Sequence, residues 1–253
     1  MNGTLTIVGL GPGPDGWVTP AARLAVDNAS DLLGYTPYLQ RLAPHVGQRV
    51  HASDNREELD RARHALALAN DGATVAVVSG GDPGVFAMAA AVFEAMDSGP
   101  ASWRGLDVRV EPGVTAMLAA ASRVGAPLGH DFCAISLSDN LKPWPLIARR
   151  PQLAAEADFV IALYNPASKA RPQQILNAFA VLSNCRSETT PVILARAVGR
   201  SDEDITITTL ADAPREVIDM RTLVLIGSSA TRVIHRADGH HWVYTPRFVG
   251  GVM

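Results

Sequence analysis

The sequence predicts an α/β fold, built as two α/β domains with mainly parallel or mixed sheets and a cleft between them. Three observations lead there. Val75-Ala76-Val77-Val78 is a short apolar run, read as a buried strand; it passes through Ser79-Gly80-Gly81-Asp82-Pro83-Gly84 into an apolar helical pattern opened by Val85. Runs of this kind alternate with helical stretches along the chain, the pattern of parallel strands covered by helices on both faces. A Pro-Gly pair at Pro112-Gly113 falls near the middle and divides 1–112 from 113–253.

Taken in order, Thr4 to Leu10 is the first strand. Thr19-Pro20 starts a helix to about Ala29, with threonine as N-cap and proline at the first position. Glu57 to Asn70 shows an apolar face at Leu59, Ala62, Leu66 and Ala69, with Asp60, Arg61 and Arg63 assigned to a solvated face. The Val75 strand is followed by a helix from Val85 to Met96, in which Met88 and Met96 read as core filler. Asp107 to Glu111 is a strand, and Thr115 caps a helix over Ala116 to Val124. The second half repeats the alternation. Strands are expected at Phe132 to Ser138, Asp158 to Tyr164, Val192 to Ala195, Asp204 to Thr209 and Thr222 to Ile226, with helices at Leu146 to Glu156 and Gln173 to Ser183.

Composition narrows the function classes. Over 253 residues the net charge is -3, which gives no general attraction to nucleic acid or to an anionic membrane. An anionic ligand must be held by local Arg and Lys. No apolar run reaches the length of a membrane span, and the start of the chain lacks the pattern of an export signal, so a cytoplasmic protein is expected. Cys133 and Cys185 have no metal-ligand spacing; no metal site is expected, and Cys133 reads as a buried inert thiol. His240 and His241 are adjacent, so on a strand their side chains diverge and make a poor metal pair.

Strand ends carry the candidate chemistry, because open α/β sheets hold ligands beyond the carboxyl ends of their strands. Gly9-Leu10-Gly11-Pro12-Gly13 follows the first strand and suggests a dinucleotide turn, with Asp31 as the ribose acid. The spacing is wrong for that turn, Pro12 and Pro14 remove amide donors, and Asp31 precedes an apolar run instead of ending one. A rigid Pro-Gly loop that shapes a cleft is the better reading. The Gly80-Gly81-Asp82-Pro83 loop serves equally as a tight strand-to-helix turn or as a place where backbone approaches a ligand.

Five stretches together, in order, resemble one family. Gly9 to Gly13, Gly80-Gly81-Asp82-Pro83, Pro112-Gly113-Val114-Thr115-Ala116, Tyr164-Asn165-Pro166 and Gly227-Ser228-Ser229 are similar to the tetrapyrrole methylases, the S-adenosylmethionine-dependent enzymes of sirohaem and cobalamin biosynthesis. Within that family, Gly125 to Phe132, Ser136-Leu137-Ser138-Asp139, Leu163 to Ser168 and Asp219-Met220-Arg221-Thr222 resemble the members that methylate precorrin-3B. The resemblance spans nearly the whole chain. One departure is Gly80, where the family pattern leads one to expect a second serine.

The resemblance implies S-adenosylmethionine in the interdomain cleft, leaving as S-adenosylhomocysteine, and a homodimer. Carried over by position, the cofactor contacts are Pro12, Gly80, Gly81, Asp82, Val85, Thr115, Ala116, Asn165 and Ala197. The reaction implied is methylation of precorrin-3B at C17 with ring contraction to precorrin-4. His130, Asp139 and Lys142 are the titratable candidates for its proton transfers, with substrate binding an equal alternative for each. Lys169, Arg171, Arg196 and Arg200 are candidates to pair with the carboxylates of the tetrapyrrole. Transient hand-over to neighbouring pathway enzymes stays open, as do two other readings: the cobalt-bound substrate of the anaerobic route, and a nicotinamide-dependent oxidoreductase.

Overall fold

The computed structural model describes residues 3–54, 57–168 and 170–248. By backbone proximity the chain falls into two compact units, Met1–Thr115 and Ala116–Met253.

The first unit contains β1 (Thr4–Gly9), α1 (Pro20–Asn28), β2 (Asp31–Tyr35), α2 (Thr36–Leu39), β3 (Arg49–Ser53), α3 (Glu58–Asn70), β4 (Thr74–Ser79), α4 (Met88–Ser98) and β5 (Asp107–Glu111). Its strands are all parallel, in the order β3-β2-β4-β1-β5. The alternation of side chains along a strand sends Leu5, Ile7, Val75 and Val77 against Ala62, Leu66 and Val92 of α3 and α4. It sends Val8, Ala76 and Val78 to the opposite face, against Ala22 and Val26 of α1. Helix α1 starts as its sequence dictates: the Thr19 hydroxyl accepts the Ala22 amide at 3.1 Å and Pro20 occupies the first turn.

Helix α3 departs from the expected face. Leu59 is exposed and Arg61 is buried, at 42% and 5% of full exposure. Arg61 is tolerated there because its guanidinium donates to the Ser53 hydroxyl (2.7 Å), the Asp54 carbonyl (2.6 Å) and the Met88 sulfur (3.2 Å). Helix α4 begins at Met88 instead of Val85, since Phe86 takes the left-handed conformation (φ 53°) and delays the helix. Asp31, the first residue of β2, is fully buried and accepts from Ser30 (2.8 Å), His51 (2.8 Å) and both sides of the Arg49 fork (2.8 and 2.7 Å). Burial alone would raise its pKa; the bonds from Arg49, His51 and Ser30 outweigh that and lower it to about 2.

The second unit contains α5 (Ala116–Val124), β6 (Gly125–Ala126), β7 (Phe132–Ser136), α6 (Trp144–Glu156), β8 (Val160–Tyr164), α7 (Gln174–Leu182), β9 (Pro191–Arg196), β10 (Asp204–Thr209), β11 (Thr222–Ile226), β12 (Arg232–His235) and β13 (His241–Tyr244). Its main sheet, β10-β9-β11-β8-β7, is mixed: β7 and β8 run parallel, whereas β11 is antiparallel to both β8 and β9. Ile161, Leu163, Val192, Leu194 and Val224 face Ile147 of α6 and Phe179 and Leu182 of α7. A small sheet, β12-β13-β6, lies beside α5. Helix α6 starts two residues earlier than expected, because Pro143 sits at its N-cap and Pro145 in its first turn, where neither needs an amide hydrogen.

Candidate functional site

In the first unit the parallel register brings the carboxyl ends of β1, β4 and β5 to one edge, with Gly9 beside Ser79 and Val8 beside Glu111. The loops beyond them are joined backbone to backbone. Leu10 donates to the Ser79 carbonyl (2.9 Å) and Gly11 to that of Gly81 (3.1 Å). A Cβ on Gly113 would lie 2.3 Å from the Gly81 carbonyl oxygen, and one on Gly9 would lie 2.7 Å from the Gly113 nitrogen. Glycine is required at both positions because no side chain fits between backbones that touch.

Asp82 is the staple between two of these loops. One carboxylate oxygen accepts the Gly84 amide at 2.8 Å and the other the Gly113 amide at 3.1 Å. Gly81 takes φ 68°; Pro12, Gly80 and Val85 are half-buried, and Thr115 is buried. The segment after β2 covers the loops that follow β1 and β4. Tyr38 lies over Gly80, where a Cβ would come within 2.7 Å of its ring, and this fits the absence of a serine there. Arg41 donates to the carbonyls of Leu10 (2.7 Å), Gly11 (2.8 Å) and Gly13 (2.8 Å).

In the second unit β7 and β8 end together, with Ser136 beside Tyr164. The Asn165 side-chain amide donates to the Ser136 hydroxyl at 2.9 Å, and the Tyr164 hydroxyl accepts the Met117 amide at 3.1 Å. Beyond them Asp139 accepts from Gln174 at 2.7 Å and faces Arg171 at 3.4 Å. The end of β9 lies beside the start of β11, where the Ala197 amide donates to the Arg221 carbonyl at 3.0 Å. Asn165 and Ala197 both hold left-handed backbone, at φ 52° and 51°, a conformation that costs about 1 kcal/mol or more for a residue with a side chain.

Arg196 donates to Asp219 at 2.9 Å and to Asp202 at 3.3 Å, and Arg221 donates to Asp202 at 2.7 Å. The bond to Asp219 raises the Arg196 pKa. Partial burial pushes the Asp219 carboxyl up, but Arg196, the Arg221 amide and Thr222 together bring it below the usual carboxylate range. Arg200 is exposed in the turn that follows, and Ala116 opens α5. Lys142 is half-exposed, with its pKa lowered by burial and then by Arg150. Lys169 lies outside the described residues.

The structure thus joins Asp139 with Arg171, and Arg196 with Ala197, at one edge of the second sheet. His130 is not joined to them. It precedes β7 whereas Asp139 follows it, a separation of roughly 17 Å for a five-residue strand. Its ring nitrogen is 3.8 Å from Asp131, too long for a hydrogen bond. Gly227-Ser228-Ser229 also lies at the far edge, because β11 runs antiparallel; there Ser229 donates to Asp158 through its amide (2.9 Å) and hydroxyl (2.6 Å). A cavity of about 690 Å³ lined by Asp158, Arg186, Thr190 and Ser229 opens at that far edge, away from the candidate residues. Among the residues sequence reasoning passed over are Tyr38 and Arg41, which carry no motif, and Asp202, which pairs with Arg196 across a turn.

The fold that carries these strand-end loops is that of a methyltransferase family: the chain belongs to the tetrapyrrole (corrin/porphyrin) methylases, whose family model matches residues 4–214. It is similar to a precorrin-3B C(17)-methyltransferase of Sinorhizobium sp., with 57% identity over 251 residues and 99% of either chain covered. A crystal structure of the methyltransferase CobJ matches with a TM-score of 0.91 at 50% identity, covering 96% of this chain and all of that one. A uroporphyrin-III C-methyltransferase from Thermus thermophilus, solved in complex with S-adenosylhomocysteine, shares the fold at a TM-score of 0.68 and 22% identity, covering 89% and 97% of the two chains.

Proposed function

We propose that this chain transfers a methyl group from S-adenosylmethionine to C17 of precorrin-3B and contracts the macrocycle to precorrin-4. The observation that carries the methylation is the end-to-end likeness, at 57% identity, to a relative named a precorrin-3B C(17)-methyltransferase; the ring contraction rests on the family resemblance. The donor set is consistent with this cofactor. Pro12 and Pro14 offer no amide to a pyrophosphate, and the Arg41 guanidinium is turned to loop carbonyls, so the Gly9–Gly13 loop is built for a ligand without phosphate. The residues we assign to the cofactor are Pro12, Gly80, Gly81, Asp82, Val85 and Thr115 in the first unit and Ala116, Asn165 and Ala197 in the second.

S-adenosylmethionine, when bound, supplies an electrophilic methyl group. Methyl transfer to a ring carbon then depends on alignment, which the glycine-joined loops and the fixed Asn165 side chain support. Ring contraction needs protons moved. Lys142, whose pKa is lowered by burial and by Arg150, is one candidate for this; Asp139, held by Gln174 and Arg171, is its carboxylate counterpart. We assign no step to His130. Arg171, Arg196, Arg200 and Lys169 pair with substrate carboxylates. A cytoplasmic homodimer completes the proposal. It rests on the family resemblance and on the finding that no helix among the described residues is long and apolar enough to cross a membrane.

Calorimetric titration with S-adenosylhomocysteine, with NAD as control, tests the cofactor. Binding of the former alone is expected, and turnover of precorrin-3B then tests the substrate. Binding of NAD without response to S-adenosylhomocysteine would sink the proposal.

A further inference from the structure

The Gly9–Gly13 loop has a construction problem. On the β4 side it is held by the Leu10 and Gly11 amides, but Pro12 and Pro14 have no amide hydrogen with which to tie the rest of the turn. Behind it lies a cavity of about 290 Å³, lined by Leu10, Val18, Val26, Leu42, Gln48 and Arg41 itself. With two amide donors fewer and a cavity behind it, the loop gains from support outside its own backbone.

Arg41 fills both needs. It reaches from the turn after α2, where its own amide donates to the Tyr38 carbonyl at 3.1 Å, back to the loop that follows β1. Its fork gives charged hydrogen bonds to three carbonyls that flank Pro12, those of Leu10, Gly11 and Gly13, all within 2.8 Å. The same turn carries Tyr38, seated over Gly80 of the second loop. One short segment therefore sets the position of two loops assigned to the cofactor, without itself belonging to either.

We propose that Arg41 is a positioning residue for S-adenosylmethionine: it fixes the Gly9–Gly13 loop in its ligand-ready form and acts through the backbone carbonyls. The proposal rests on the cofactor reading above. A positioning role predicts a change in cofactor affinity with little change in turnover once the cofactor saturates.

The test uses the full chain as wild type, Arg41→Met and Arg41→Lys, measured by titration with S-adenosylhomocysteine, by steady-state kinetics in S-adenosylmethionine and by thermal melting. Arg41→Met is expected to weaken S-adenosylhomocysteine binding by roughly tenfold or more and to raise the KM for S-adenosylmethionine in parallel, with kcat within about twofold. Arg41→Lys should fall between, because a point charge cannot serve three carbonyls as a fork does. Wild-type affinity in Arg41→Met overturns the proposal, and so does a fall in kcat at unchanged affinity. If Arg41→Met does not fold, wild-type affinity in Arg41→Lys overturns it instead. A wild-type chain that does not bind S-adenosylhomocysteine removes the cofactor reading itself, before any variant is compared.

Discussion

The candidate residues of the first unit gather where backbones touch, whereas those of the second gather where side chains pair. In the first unit all five strands run parallel and so end at one edge, where the glycines at 9 and 113 let backbones meet without side chains between them and Gly81 takes the left-handed turn. Its strongest ion cluster, Asp31 with Arg49 and His51, lies at the start of β2 and so at the other end of the sheet. In the second unit the mixed sheet brings the carboxyl ends of β7, β8 and β9 and the amino ends of β10 and β11 to the candidate edge. That edge holds Arg196, Asp219, Asp202, Asp139 and Arg171, together with two residues strained into left-handed backbone in place of glycines. The first edge owes its shape to backbone packing, the second to paired charges.

The largest blow to this contrast should come from Gly113→Ala. The added methyl meets the Gly81 carbonyl at 2.3 Å, and backbone cannot swing aside, so a loss of about 3 kcal/mol in urea unfolding and a loss of S-adenosylhomocysteine binding are expected. An unchanged midpoint would mean that the loops are not joined as described. Asp31 tests the opposite end of the same sheet. Its carboxyl titrates near 2 in the fold against an ordinary 3.8, so its contribution of about 2 kcal/mol is complete above pH 4 and disappears as pH falls through 2. Wild type should therefore lose about 2 kcal/mol more than Asp31→Asn between pH 5 and pH 2, with S-adenosylhomocysteine affinity at pH 7 untouched by the substitution. Parallel pH curves for the two proteins would deny the cluster its role.

Ala197→Gly probes the second unit and should do least. Releasing the left-handed strain offsets the added freedom of the unfolded chain, leaving a net stabilisation of about 0.5 kcal/mol. Destabilisation beyond about 1 kcal/mol would show that the buried Ala197 methyl matters more than its backbone.

Much of this architecture was legible in the sequence because buried strands announce themselves through apolar runs and punctuation: Thr4–Gly9, Thr74–Ser79 and Thr222–Ile226 all stand where the pattern placed them. Strand β3 was not, since Arg49-Val50-His51-Ala52-Ser53 is an edge strand with too little apolar content to register. The burial of Arg61 was equally hidden, because its partners Ser53 and Met88 come from other elements. The direction of β11 cannot be read from a threonine and four apolar residues, and that direction decides that Gly227-Ser228-Ser229 ends at the far edge. For the candidate site, glycines and prolines marked the loops, but only register shows which of them touch. Arg41 illustrates the limit: one arginine after a four-residue helix has no spacing to betray a partner some thirty residues earlier.

Residues 9, 81 and 113 become neighbours only when β5 has docked beside β1. During synthesis, then, the emerging chain carries its glycine loop for about a hundred residues before the last of its contacts, that with Gly113, can form. Nearly every residue of the first unit must have left the ribosome before that edge can close. Such long-range closure is slow compared with helix formation. Completion of that edge is accordingly a late event in the life of the chain: nascent chains truncated before residue 113 already hold the contacts of Leu10, Gly11 and Arg41 but lack the backbone that closes against Gly9 and Gly81.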